Sequence, residues 1–215
     1  MKCTILLPTY NEAENIADLI ADIQKYLPTA DILVVDDNSP DGTAKKVKTN
    51  ARVDLLVRRN NRGLTNSLRD GIQTTKTDVV AWMDCDFSHP AFVLPQLLSA
   101  VHNGADLALA SRIHNHGLSA LLNTIAMLFF GKKITDYTTG FLAVRKTVLD
   151  HIPLRGNYGE YCIDLLVRAQ AAGYRIQEIP YTSPPRRAGV SKTMPFRQGY
   201  GYIATIIRLL WTSGK

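Results

Sequence analysis

Short apolar runs alternate with stretches of helical periodicity from the first residues to about position 180, and that alternation leaves few folds open. Strands are predicted near 3-8, 31-35, 53-57, 78-83, 105-110, 139-144 and 174-179, with helices near 14-26, 42-49, 64-75, 91-102, 146-151 and 160-172. Such a repeat builds a mostly parallel central sheet with helices on both faces, an α/β domain. The breakers agree: Pro28 closes the first helix, Gly104 and Gly173 fall at helix C-termini before strands, and Pro90 opens a helix. At 215 residues with 46% hydrophobic content, the chain fills one such domain and leaves little for a second core.

The most informative strand is Val79-Val80-Ala81-Trp82-Met83, which runs into Asp84-Cys85-Asp86. In a parallel α/β sheet, ligands collect beyond the carboxyl ends of the strands, and two aspartates there offer hard oxygen ligands to Mg²⁺ or Mn²⁺ carrying substrate phosphates. Taken alone, the same residues also read as an Asp-capped surface turn. Two further polar loops leave neighbouring strand ends, Pro8-Thr9-Tyr10-Asn11-Glu12 and Val35-Asp36-Asp37-Asn38-Ser39-Pro40-Asp41-Gly42-Thr43. Tyr10 can stack on a base, Glu12 and Asp37 can accept hydrogen bonds from base and ribose, and Asp41 or Thr43 can cap the next helix. The chain has neither G-x-G-x-x-G after its first strand nor G-x-x-x-x-G-K-[ST], so a diphosphate would be held by metal and side chains.

The formal charge of +6 is scattered and without an aromatic platform, which speaks for anionic small ligands or a lipid surface and against nucleic acid. Cys3, Cys85 and Cys162 are odd in number and lack metal spacing, as expected in a reducing compartment. The strand pattern from Cys3 leaves no room for a basic-then-apolar leader, so secretion by that route is not expected.

Seven ordered motifs carry a family resemblance. They are Pro8 to Glu12, Asp36-Asp37-x-Ser39-x-Asp41-Gly42-Thr43, Arg62-Gly63-Leu64, Met83 to Pro90, Ser111-Arg112, Thr139-Gly140-Phe141 and Ser191-Lys192. Their order resembles family 2 glycosyltransferases, and more narrowly dolichyl-phosphate (polyprenyl-phosphate) mannosyltransferases. The resemblance implies a GT-A type nucleotide-sugar-binding domain over 1-195, followed by a C-terminal amphipathic helix over 196-215. It implies that Pro8, Tyr10, Glu12, Val35 and Asp37 contact the nucleoside, that Asp84, Cys85, Asp86 and Ser88 surround the diphosphate, and that Asp84, Asp86 and Ser88 hold Mg²⁺ or Mn²⁺. Cys85 stands where Ala is usual, and Ser88 where many members have Gln. Arg112 falls at the phosphates, while Arg186, Gly189, Ser191 and Lys192 match a mobile active-site loop. Arg186 and Lys192 are expected on the diphosphate, the acceptor phosphate or both, and Asp84, Asp86, Arg112, Arg186 and Lys192 form the catalytic set.

The implied reaction moves mannose from GDP-mannose to a dolichyl or polyprenyl phosphate with inversion. UDP-glucose as donor, a soluble acceptor, and a binding subunit without turnover remain open. A phosphate oxygen is already anionic near neutral pH, so no strong general base is sought, and none of the five histidines is assigned to catalysis. Asp164 reads equally as a helix-surface ion pair or a functional residue.

Ala120 to Phe130 and Tyr200 to Trp211 are apolar with basic flanks, and both are shorter than the ~20 residues needed to span a bilayer. Each fits an interfacial helix, with Leu122 and Phe129 expected to face lipid. Related enzymes carry C-terminal transmembrane helices or use a membrane partner. The expectation here is a peripheral protein on the cytosolic face of a membrane, with or without a small anchoring subunit.

Overall fold

The structure, a computed structural model, describes residues 2–187 and 195–213. Its elements in chain order are β1 (Cys3–Thr9), α1 (Ile16–Tyr26), β2 (Asp31–Asp36), α2 (Thr43–Val47), β3 (Asp54–Val57), α3 (Leu64–Thr74) and β4 (Val79–Trp82). A single 3-10 turn (Ala91–Val93) leads into α4 (Leu94–His102). Then follow β5 (Leu107–Arg112), α5 (Gly117–Phe130), β6 (Leu142–Arg145), α6 (Lys146–His151), α7 (Tyr161–Ala171), β7 (Ile176–Tyr181) and α8 (Pro195–Ser213).

The strands form one seven-stranded sheet in the order β3-β2-β1-β4-β6-β5-β7. All are mutually parallel except β6, which runs antiparallel to both β4 and β5. Side chains alternate between the two faces of each strand, so adjacent residues enter different cores. Leu6, Leu33, Val35, Val80, Trp82, Leu107, Leu142 and Val144 pack with residues of α3, α5, α6, α7 and α8. On the opposite face, Ile5, Leu7, Ile32, Val34, Ala81, Ala108 and Ala143 meet α1, α4 and Val47 of α2. Trp82 is buried and donates its indole N–H to the Tyr161 hydroxyl at 2.8 Å, which satisfies the polar end of a core residue.

Three local expectations shift. The helix expected over 91-102 divides because Pro95 sits at the start of α4, where its missing N–H is tolerated, and a 3-10 turn completes the approach. The strand expected from 139 begins only at Leu142, since Gly140 adopts a φ of 66° that ends extended backbone. Asp164 lies on no surface: it is fully buried between two arginines, with its Oδ2 accepting from Arg168 Nε at 2.7 Å and its Oδ1 from Arg208 Nη2 at 2.8 Å.

Because β1 to β5 and β7 share a direction, their C-terminal ends line one edge of the sheet, and the reversed β6 brings its leading residues, Thr139 to Phe141, to the same edge. Every motif picked out in the described residues of the sequence lies on that edge.

Candidate active site

The Asp84 to His89 turn is the centre of the edge. Asp86 is buried and its Oδ1 accepts from the Ser88 backbone N–H at 2.9 Å and the Ser88 hydroxyl at 2.6 Å, a side-chain turn that fixes the carboxylate. Its other oxygen meets Arg186 Nη2 at 2.8 Å. Burial pushes the Asp86 carboxyl upward, but the Ser88 hydrogen bonds and the charge of Arg186 outweigh it, and the pKa lies below the usual value. Phe87, between Asp86 and Ser88, takes a φ of 68°, an unfavourable region for an aromatic residue that the flanking contacts hold in place. Asp84 differs in kind, with its side chain 52% exposed.

His89 orients this turn. Its Nδ1 accepts the Asp84 backbone N–H at 2.9 Å, and its ring stacks on Phe141 at 4.9 Å with Tyr181 edge-on at 6.4 Å. Burial depresses its pKa, so the imidazole is neutral near pH 7, with its proton on Nε2.

The segment after β7 lies directly on the turn. The Arg187 backbone N–H donates to the Asp86 carbonyl at 3.0 Å, and the Ser183 hydroxyl donates to the Ser88 carbonyl at 2.9 Å. The Arg187 guanidinium sits 5.0 Å from the Phe87 ring centroid and 3.0 Å from Asp18 Oδ2. Arg186, expected on a phosphate, instead pairs with the Asp86 carboxylate in this structure, and Lys192, Gly189 and Ser191 fall outside the described residues.

On the β1–β2–β3 side, Tyr10 is exposed, with the Arg62 guanidinium 5.8 Å from its ring centroid. Glu12 is buried, and its Oε2 accepts from the Asn15 amide at 3.0 Å. Pro8 pairs in register with Val35, whose side chain is 1% exposed and belongs to the core. Asp37 is largely committed inward: Oδ1 receives Arg58 and the Ser67 hydroxyl, and Oδ2 receives the Gly63 backbone N–H at 2.7 Å. Arg58 was not singled out from sequence, yet it is buried and also bonds Asp70 and the Asn61 carbonyl, so it holds the third loop in place. Asp36 is a turn residue, accepting from Thr9, the Ser39 backbone and the Ser39 hydroxyl. Asp41 ties two loops, accepting from Thr43 and from the Ala13 backbone N–H.

Arg112 ends β5. Its guanidinium engages the buried carboxylate of Asp136, another residue unmarked in the sequence, through Nε at 2.7 Å and Nη2 at 2.8 Å. Cys85 is buried, with its sulfur 3.7 Å from the Pro8 carbonyl, and the three cysteines form no disulfide among the described residues.

A family model, glycosyl transferase family 2, matches residues 4–152. The chain belongs to that family. The glycosyltransferase is 30% identical to a dolichol-phosphate mannosyltransferase of Pyrococcus furiosus over 100% of its own length, spanning 65% of that protein. It is 36% identical to a polyprenol monophosphomannose synthase of Mycolicibacterium smegmatis, over 87% of this chain and 79% of that one. It is also 33% identical to an undecaprenyl-phosphate mannosyltransferase of Micrococcus luteus, over 89% and 87% of the two chains. Its fold is that of glucosyl-3-phosphoglycerate synthase from Mycobacterium tuberculosis, solved with Mn²⁺, UDP and phosphoglyceric acid, at a TM-score of 0.81 and 17% identity over 97% of this chain and 78% of that one. The GT-A architecture of the glycosyltransferase is thereby established.

Among the described residues no group of three or more His, Cys, Asp or Glu side chains is placed to cage a metal. Asp84, Asp86 and the Ser88 hydroxyl are nevertheless a donor set suited to a hard cation that keeps water and substrate phosphates as its other ligands. One of these donors, Asp86 Oδ2, is paired with the Arg186 guanidinium in this structure.

Proposed function

We propose that this glycosyltransferase moves mannose from GDP-mannose to a polyprenyl or dolichyl phosphate, with inversion at the anomeric carbon and with Mg²⁺ or Mn²⁺ bound by Asp84, Asp86 and Ser88. The observation that carries the lipid acceptor is the helix that follows Arg112. Along α5, Leu118, Leu121, Leu128 and Phe129 are exposed, and the adjoining α8 exposes Tyr200, Ile203, Ile207 and Trp211. The opposite sides of both helices, through Leu122, Ala126, Ile206 and Leu209, are buried in the core. An apolar surface on two packed helices fits the interface of a bilayer rather than water. No helix among the described residues is long and apolar enough to cross a membrane. A peripheral position on the cytosolic face, with or without a small anchoring subunit, follows from this reading.

The order of strands distributes the chemistry. Nucleoside-binding loops leave β1, β2 and β3, the carboxylates leave β4, and Arg112 leaves β5, with β6 between. Two strand spacings, about 10 Å, separate the β4 and β5 ends, so Arg112 stands on the side of the carboxylates away from the nucleoside. The donor diphosphate then sits at Asp84, Asp86 and Ser88, and the acceptor phosphate sits toward Arg112 under α5. A bound divalent cation would neutralise charge on the departing nucleoside diphosphate. Arg186, on the Asp86 side of the gap, can reach either phosphate once it leaves that carboxylate, and Lys192 is assigned to the same task. The nucleophile is a phosphate oxygen that needs alignment, which the rigid edge supplies.

Labelled GDP-mannose and UDP-glucose, each incubated with a short polyprenyl phosphate and Mn²⁺ or Mg²⁺, then extracted with organic solvent, test the proposal. Label from GDP-mannose alone is expected in the organic phase. Label from UDP-glucose alone would replace the donor, and label from neither would overturn the lipid-phosphate acceptor.

A further inference from the structure

Asp136 lies in the loop between α5 and β6 and is fully buried, at 0% exposure. Its Oδ2 accepts from Arg112 Nε at 2.7 Å and from the Arg112 backbone N–H at 3.1 Å. Its Oδ1 accepts from Arg112 Nη2 at 2.8 Å, from Asn123 Nδ2 at 3.0 Å and from the Thr138 backbone N–H at 3.2 Å. The Thr138 hydroxyl oxygen takes a second hydrogen bond from Arg112 Nη2 at 2.7 Å. One edge of the guanidinium is thus saturated. Nη1 has no partner among the described residues, and the Arg112 side chain keeps 19% exposure. Arg112 pairs in register with Tyr181 of β7, whose ring lies edge-on to His89 at 6.4 Å, and His89 in turn accepts the Asp84 backbone N–H, so the pair borders the carboxylate turn.

The grip is itself fixed from two sides. Backbone N–H groups of Thr135 and Asp136 donate to Glu178 Oε1 on β7 at 2.9 and 3.2 Å. Asn123, on the buried side of α5, turns its Nδ2 to Asp136 while its Oδ1 stays buried without a partner. A buried amide oxygen left unpaired costs free energy, so the contact with Asp136 is what this orientation favours. A carboxylate held this way restricts the guanidinium to one pose, leaving a single NH₂ group to meet a ligand oxygen.

We infer that Asp136 is a positioning residue that aims Arg112 Nη1 at the acceptor phosphate, and that Asn123 ties this aim to the helix whose outer face meets the lipid. The inference rests on the polyprenyl-phosphate reading of the site. A merely structural ion pair would support fold stability and affect all ligands alike; a positioning carboxylate affects the one phosphate that Arg112 meets.

Binding of a short-chain prenyl phosphate and, separately, of GDP is measured by calorimetry for wild type, Asp136→Asn, Arg112→Gln and the double variant, followed by transfer kinetics with each substrate varied. Asp136→Asn is expected to weaken prenyl phosphate binding and raise its KM by about tenfold or more, with GDP affinity unchanged. The double variant is expected to bind prenyl phosphate no more weakly than Arg112→Gln alone. Equal losses for both ligands, losses that multiply in the double variant, or no loss at all would overturn the inference. Asn123→Ala removes one donor and no charge, and it carries the same comparison with a smaller expected loss if Asp136→Asn does not fold. Wild type that binds GDP but no prenyl phosphate would instead overturn the lipid-phosphate reading, and this inference with it.

Discussion

Arg186 and Asp86 are joined by an ion pair of 2.8 Å, Nη2 to Oδ2, in which a guanidinium holds the carboxylate that the proposed divalent cation must share. A cation bound there would compete with the arginine for that oxygen, and its binding would release Arg186. The pair is partly exposed on its arginine side and is worth about 1 kcal/mol. Arg186→Gln is therefore expected to tighten Mn²⁺ binding to the substrate-free protein about fivefold while transfer falls. Titration of bound Mn²⁺ by electron paramagnetic resonance checks the sign; weaker binding in the variant would mean that Arg186 supports the cation site.

Asp86→Asn keeps an acceptor for the Ser88 turn and removes the charge that a cation and Arg186 require. Turnover should fall by about a hundredfold or more, with the urea midpoint nearly unchanged. A variant with full turnover and intact metal dependence would remove Asp86 from the site.

The two apolar residues that the sequence placed together on lipid part company in the structure. Leu122 is 4% exposed and belongs to the core, whereas Phe129 is 53% exposed. Leu121→Asp with Phe129→Asp should abolish flotation with anionic liposomes and leave the fold intact. Leu122→Asp should destabilise the protein by about 3 kcal/mol or more, because a charge would enter a packed interior. Flotation beside thermal melting separates the two outcomes.

Asp164 pins α8 to α7 through Arg208 and pairs with Arg168 of its own helix. Asp164→Ala leaves both arginines without this partner, and because Arg208 is half exposed the expected loss is about 2–3 kcal/mol, below that of a fully buried pair. Urea unfolding gives the magnitude, and hydrogen exchange should show α8 losing protection first.

The Asp136 carboxyl works against its own burial, and the hydrogen bonds and charge of Arg112 bring its pKa below the usual value. A carboxylate depressed in the folded state contributes stability above its unfolded pKa of about 3.9, and that contribution is lost as pH falls through the lower folded value. Stability should therefore decline with acid below about pH 4, and Asp136→Asn should show a shallower decline there. Urea midpoints from pH 6 to pH 2.5 in both proteins test the difference.

Much of the local structure of the candidate site was legible because polar turns at strand ends leave a local signature. The Asp84-Cys85-Asp86 step off an apolar strand, the Asp41 link to Thr43 and the loop after Pro8 each declare themselves in a few adjacent residues. Arg58 and Asp136 do not, since their partners lie 21 and 24 residues away and a charged loop residue looks solvated until a fold buries it. The ion pair of Asp164 with Arg168 is local and legible, but its burial is not, because its second arginine is 44 residues distant.

The sequence by itself determined the α/β alternation, the polar turns at the strand ends and the two apolar helical segments, because periodicity and turn residues act over a few positions. Only the tertiary structure decided that β6 runs backwards between β4 and β5, that Asp136 grips Arg112, and that Arg186 rests on Asp86. Strand direction and ion pairing depend on which distant segments become neighbours, and that is settled by how the whole chain buries its two cores.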